Sequence, residues 1–245
     1  RDRSPSRGLG DVYKRQGANT LTSQGVTLDM GDMGSVAITN YNFGGIGIIQ
    51  DKVPNGGEQP WDDLGTHGAP EQGIAAPHAG NRLGYKTTMG GATISASMDY
   101  QQNSPTTSFA VSMPLVEGLE IGAGVATDQD SATTEQDIET MYATYSMGGI
   151  SVGYQVTEVD VTAANSDIER TAYGVSFAVN DNLSVGYGIS DTEFEEFTPD
   201  EENTGIGIAY TSGGMKLGII NNTKDNSGGS AGAEEMTEFQ LTFAF

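Results

Sequence analysis

From residue 81 onward, apolar residues alternate with small or polar ones at a period of two. Ala92, Ile94, Ala96, Met98 and Tyr100 fall on one face, and Thr93, Ser95, Ser97 and Asp99 on the other. Ile150, Val152, Tyr154 and Val156 oppose Ser151, Gly153, Gln155 and Thr157. Tyr173, Val175, Phe177 and Val179 oppose Ala172, Gly174, Ser176 and Ala178, and Leu183, Val185, Tyr187 and Ile189 repeat the theme against Ser184, Gly186, Gly188 and Ser190. A pleated strand imposes this period, because successive side chains point to opposite faces. The pattern predicts thirteen strands, over 26–30, 34–40, 81–88, 92–101, 106–113, 119–127, 137–147, 150–160, 169–179, 183–193, 203–211, 215–223 and 235–245. The second face is small and hydrophilic. A water-soluble sandwich carries Lys, Glu and Arg there, and these strands read as having almost none.

The connections alternate in length. Met89-Gly90-Gly91, Pro114–Gly118, Gly148-Gly149, Asn180-Asp181-Asn182 and Ser212-Gly213-Gly214 are short and rich in turn residues. Gln102–Pro105, Asp128–Gln136, Val161–Ile168, Phe194–Asn203 and Lys224–Glu235 are longer and polar. Short turns at one end and long loops at the other are expected of an antiparallel transmembrane β-barrel. No apolar run approaches the ~18 residues of a spanning helix, but barrel strands do not need one.

The last strand places Phe239, Leu241, Phe243 and Phe245 on one face, and the chain ends on the aromatic. The ending FQLTFAF resembles the closing strand of bacterial outer-membrane barrels. There a terminal aromatic serves recognition by the insertion machinery, which implies that role for Phe243 and Phe245. With the stretch GVTLDMGDMGSVAITN over 25–40, the chain from residue 17 on resembles the Gram-negative general porins of the alphaproteobacterial type. The resemblance implies a homotrimer in the outer membrane that passes small hydrophilic solutes and ions by passive diffusion. It also implies a long loop folded into the pore, and 41–80 is the one connection long enough. Family barrels have about sixteen strands, so thirteen implies that about three lie upstream.

Charge refines this picture. The 245 residues carry 33 acids and 11 bases, a net charge of −22. Such a surplus excludes a basic nucleic-acid interface. Five bases, Arg1, Arg3, Arg7, Lys14 and Arg15, fall within residues 1–16. This abrupt shift sets 1–16 apart as a non-native or disordered basic segment, similar to translated sequencing adapter, ahead of the barrel over 17–245. Acids concentrated in the long loops make cation preference the expectation at the channel mouth. There is no cysteine, so thiolate metal sites and cysteine nucleophiles are excluded. No G-x-S-x-G, H-E-x-x-H or P-loop occurs, and Gly44-Gly45-Ile46-Gly47 lacks the strand–helix setting of a dinucleotide site. An enzyme is not expected.

The loop holds Trp61, His67 and His78, with Asp51, Glu58, Asp62, Asp63 and Glu71 against one base, Lys52. Three readings stay open: a solvated acidic loop, a pore constriction built on those five acids, and a calcium site at Asp62 and Asp63. The constriction is favoured because a 40-residue loop inside a compact protein is usually functional. No other cofactor is expected. Among the strand bases, Arg82, Lys86, Arg170 and Lys216 share parity with the small and polar face, the lumen of a barrel. A charge facing lipid would cost ~2–4 kcal/mol at the midplane. The alternative from another class is a secreted, acidic, Gly-rich β protein, an adhesin or calcium-binding solenoid. Such a protein should show a fixed repeat, and none is found. A small barrel without a pore would have about eight strands.

Overall fold

A computed structural model of the chain describes residues 25–40, 43–57, 59–61, 64, 82–99, 106–128 and 135–243. All thirteen expected strands form: β1 (Gly25–Asp29), β2 (Ser35–Thr39), β3 (Arg82–Met89), β4 (Ala92–Asp99), β5 (Thr107–Val116), β6 (Leu119–Asp128), β7 (Gln136–Met147), β8 (Ile150–Val161), β9 (Ile168–Asn180), β10 (Leu183–Phe194), β11 (Glu201–Ser212), β12 (Met215–Asp225) and β13 (Ala233–Phe243). They make one sheet in sequence order, every neighbour antiparallel. Among the described residues β1 and β13 are each paired on one side only. The first sixteen residues and Phe245 lie outside the described residues.

One turn differs from expectation. Pro114 does not end β5; the strand continues to Val116, with a register irregularity between Pro114 and Val116. Proline lacks the N–H that a ladder needs, and an irregularity of this kind is where a strand tolerates it. The tight turns follow their chemistry. Gly148 and Gly213 take φ of 61° and 58°, a conformation that costs glycine little. Asn180 caps its turn by accepting from Asn182 N at 2.9 Å and Leu183 N at 3.0 Å.

The two faces are chemically distinct. Ser95, Ala110, Gln155, Ala172, Ser190 and Thr192 are buried on one, which is the inner face. Val152, Tyr154, Tyr173, Val175, Phe177, Ile206 and Ile208 are exposed on the other. Tyr154 and Tyr173 are register partners whose rings lie 5.1 Å apart. A sheet in water does not leave so continuous an apolar face bare; a sheet facing lipid must.

The outer face is not free of charge, contrary to the pattern reading. Glu139, Glu158, Glu169 and Glu193 are successive register partners across β7 to β10 and are all exposed. They point outward by parity, at the long-loop ends of their strands. The alternation remains at period two there, but the outward residue changes from apolar to acidic. These four acids thus lie on the outer side of the rim rather than at the channel mouth.

Candidate functional site

After Thr39 the chain leaves β2 and returns at Arg82. The described part of this connection does not project into solvent. Residues 45–49 form a 3₁₀ turn packed on β3, β4, β5 and β6. Ile46 and Ile49 are fully buried, in a cluster with Ala110, Ala126, Ile138, Tyr142 and Val159 of the inner face. Burial of the two isoleucines contributes about 1.5–3 kcal/mol each before the cost of ordering the loop. Ile46 N donates to Ser108 Oγ at 3.1 Å, and Ser108 shares a 2.8 Å hydrogen bond with Ser97.

Gln155 then fastens the next residues. Its side chain is fully buried. Oε1 accepts from Lys52 N at 2.8 Å, while Nε2 donates to Ile49 O at 2.9 Å and to Thr140 Oγ1 at 3.2 Å. One amide thus satisfies two loop backbone groups that would otherwise be buried without partners. Further on, Val53 and Trp61 pack with Ala172, and Trp61 Nε1 donates to Asp51 Oδ1 at 3.2 Å.

Inner-face glycines provide the rest of the seat. A Cβ at Gly153 or Gly174 would collide with Pro54, one at Gly186 with Asn55 and Gly56, and one at Gly207 with Gly56 backbone. Pro60 meets Gly188 and Gly205. Backbone lies on backbone at these crossings, an approach that only glycine allows. From Gly44 beside Gly84 to Gly57 near Ile220, the loop therefore runs across the strands along the inner wall.

The sequence-predicted residues distribute as follows. Asp51 lies on this wall-lining segment, held by Trp61. Glu58, Asp62, Asp63 and Glu71 lie outside the described residues, as do His67 and His78, so the calcium site at Asp62 and Asp63 falls there too. Arg82 is buried on the inner face. Lys86 is exposed, its Nζ 5.5 Å from the centre of the Phe43 ring. Arg170 Nε donates to Thr192 Oγ1 at 3.2 Å, and Lys216 is exposed on the inner parity near the short turns. Phe243 is on the outer face, 53% exposed. The pattern reading missed Gln155, Ile46, Ile49 and the glycine track. Its available signal was Ile138 and Val159, register partners that put apolar side chains on an otherwise small and polar face.

Comparison with known proteins agrees with this arrangement. The family model for the Gram-negative porin matches residues 6–229, beginning inside the segment set apart by its charge. No protein of curated function matches. Among solved structures, a porin refined at 1.8 Å resolution is 17% identical with a TM-score of 0.61, over 88% of this chain and 79% of its own. An anion-selective porin from Comamonas acidovorans is 17% identical with a TM-score of 0.62, over 89% of this chain and 76% of its own. The outer membrane channel DcaP of Acinetobacter baumannii is 13% identical with a TM-score of 0.57, over 97% and 91%. These identities speak for the fold. The family match spans residues 6–229, nearly the whole chain. The chain belongs to the Gram-negative porin family, channels of the bacterial outer membrane.

Proposed function

We propose that the protein is a diffusion channel for small hydrophilic solutes that prefers cations, sieving them through a lumen narrowed by residues 43–57. What supports the reading is the contrast between the faces: apolar side chains outward, and a polar wall with a fastened loop inward. Passage then needs no chemistry. Cation preference rests on the 33 acids against 11 bases, since a mouth lined by one sign concentrates the opposite ion. Exposed charges are screened beyond ~10 Å at 0.1 M salt, so the preference should weaken as salt rises. Homotrimeric assembly is part of the proposal and comes from the family resemblance. Reversal potentials of the reconstituted protein in a KCl gradient test the selectivity. A cation-selective value at low salt that decays with concentration is expected, and an anion-selective value at low salt would refute it.

A further inference from the structure

We infer that Lys52 is a specificity-determining residue: its ammonium group is a fixed positive charge on the narrowed lumen that opposes cations and admits anions. The inference rests on the channel reading above and concerns one site within it. Lys52 is the sole base between residues 41 and 80. It belongs to the segment laid along the inner wall, and its backbone is pinned by the 2.8 Å hydrogen bond from its N–H to Gln155 Oε1. The side chain is directed as well. Nζ stands 5.6 Å from the centre of the Tyr142 ring, within the range of a cation–π contact. The Tyr142 hydroxyl in turn donates to Glu120, which fixes the ring that carries the ammonium.

Among the described residues no carboxylate forms an ion pair with Lys52, whereas Lys224 is buried against Glu201 at 3.7 Å. Its acidic neighbour Asp51 is turned to the Trp61 indole. Lys52 is half-buried, so its field reaches the lumen through a mixed, partly low-dielectric environment. A unit charge some 6 Å from a passing ion changes that ion's energy by about RT even at the dielectric constant of water. Cations and anions shift in opposite directions, so their permeability ratio responds to both. With screening at 0.1 M salt, removal of the charge should move the ratio about threefold toward cations, and its reversal about tenfold.

The absence of native cysteine allows the charge to be changed in a folded channel. Lys52→Cys is reconstituted, its reversal potential is read in a KCl gradient, and the thiol is labelled with methanethiosulfonates carrying a trimethylammonium or a sulfonate. The unlabelled variant should prefer cations more than wild type. The cationic label should return the ratio to the wild-type value, and the anionic label should drive it further away. Lys52→Gln should match the unlabelled cysteine variant, and Lys52→Arg should match wild type. If complete labelling by either reagent, confirmed by mass, leaves the ratio unchanged, the inference is wrong. Full-length wild-type protein that forms no channels would overturn the channel reading, and this inference with it. Wild-type channels of either selectivity leave the Lys52 comparison intact, because it is a difference between variants.

Discussion

Replacing Gly207 by alanine should destabilise the protein, while the same change at Gly218 should stabilise it. The two glycines sit on the inner face of adjacent strands, β11 and β12, in ordinary strand conformation. They differ in what stands over them. A Cβ at Gly207 would lie 2.7 Å from Gly56 O, 2.8 Å from Gly56 C and 3.0 Å from Gly56 Cα, all loop backbone. A Cβ at Gly218 would meet only Gln240, at 3.6 Å and 3.9 Å. Ordinary contact begins at 3.4 Å, so the loop must retreat by about 0.7 Å at Gly56. It has little freedom to do so, because Pro54 is wedged against Gly153 and Gly174 and Lys52 is tied to Gln155. Overpacking of this kind costs about 1–3 kcal/mol. Replacing glycine by alanine restricts the unfolded chain and returns about 0.4–1 kcal/mol in both cases. The net expectation is a loss of about 1–2 kcal/mol at Gly207 and a gain of about 0.4–1 kcal/mol at Gly218. Denaturant titration in detergent micelles, followed by gel mobility of folded and unfolded protein, reads both midpoints. Gly207→Ala channels should also show a changed mean conductance and a noisier open level. If Gly207→Ala stabilises as much as Gly218→Ala, the loop is not seated on β11 and the wall-lining arrangement fails.

Two further expectations test the fastening and the facing of the strands. Gln155→Leu leaves Ile49 O and Lys52 N buried without partners, at about 1–3 kcal/mol each; Gln155→Glu keeps the acceptor for Lys52 N but loses the donors to Ile49 O and Thr140 Oγ1 and sets a buried carboxylate oxygen against Ile49 O, so it too should lower the denaturation midpoint. Ile208→Arg puts a charge into the apolar outer stripe of β11 and should cost about 2–4 kcal/mol, whereas Ala209→Arg, one residue on and facing inward, should be tolerated; equal midpoints, or the reverse order, would refute the assignment of the faces.

The strand framework was legible in the sequence because its physics is local. Side chains alternate with the pleat, glycine and asparagine mark the tight turns, and each hairpin pairs neighbours in the chain. That is why all thirteen strands were found to within a few residues, and why the family resemblance could be read from the pattern and the closing aromatics. What the outward face carries toward the rim was less legible. Glu139, Glu158, Glu169 and Glu193 read as isolated acids along the chain and become one row only when four strands are set in register. The loop was opaque for a stronger reason. Its length and acidity could be counted, but its course depends on contacts between residues about a hundred positions apart, such as Gln155 with Ile49 and Lys52. Gly174, Gly186 and Gly207 look like ordinary small residues of a polar face until Pro54, Asn55 and Gly56 lie on them. Lys52 looked incidental among acids until its backbone was pinned to the wall and its ammonium held over Tyr142. Local periodicity determined the sheet; only tertiary structure, through long-range packing and register, decided where the loop goes and which charge it presents.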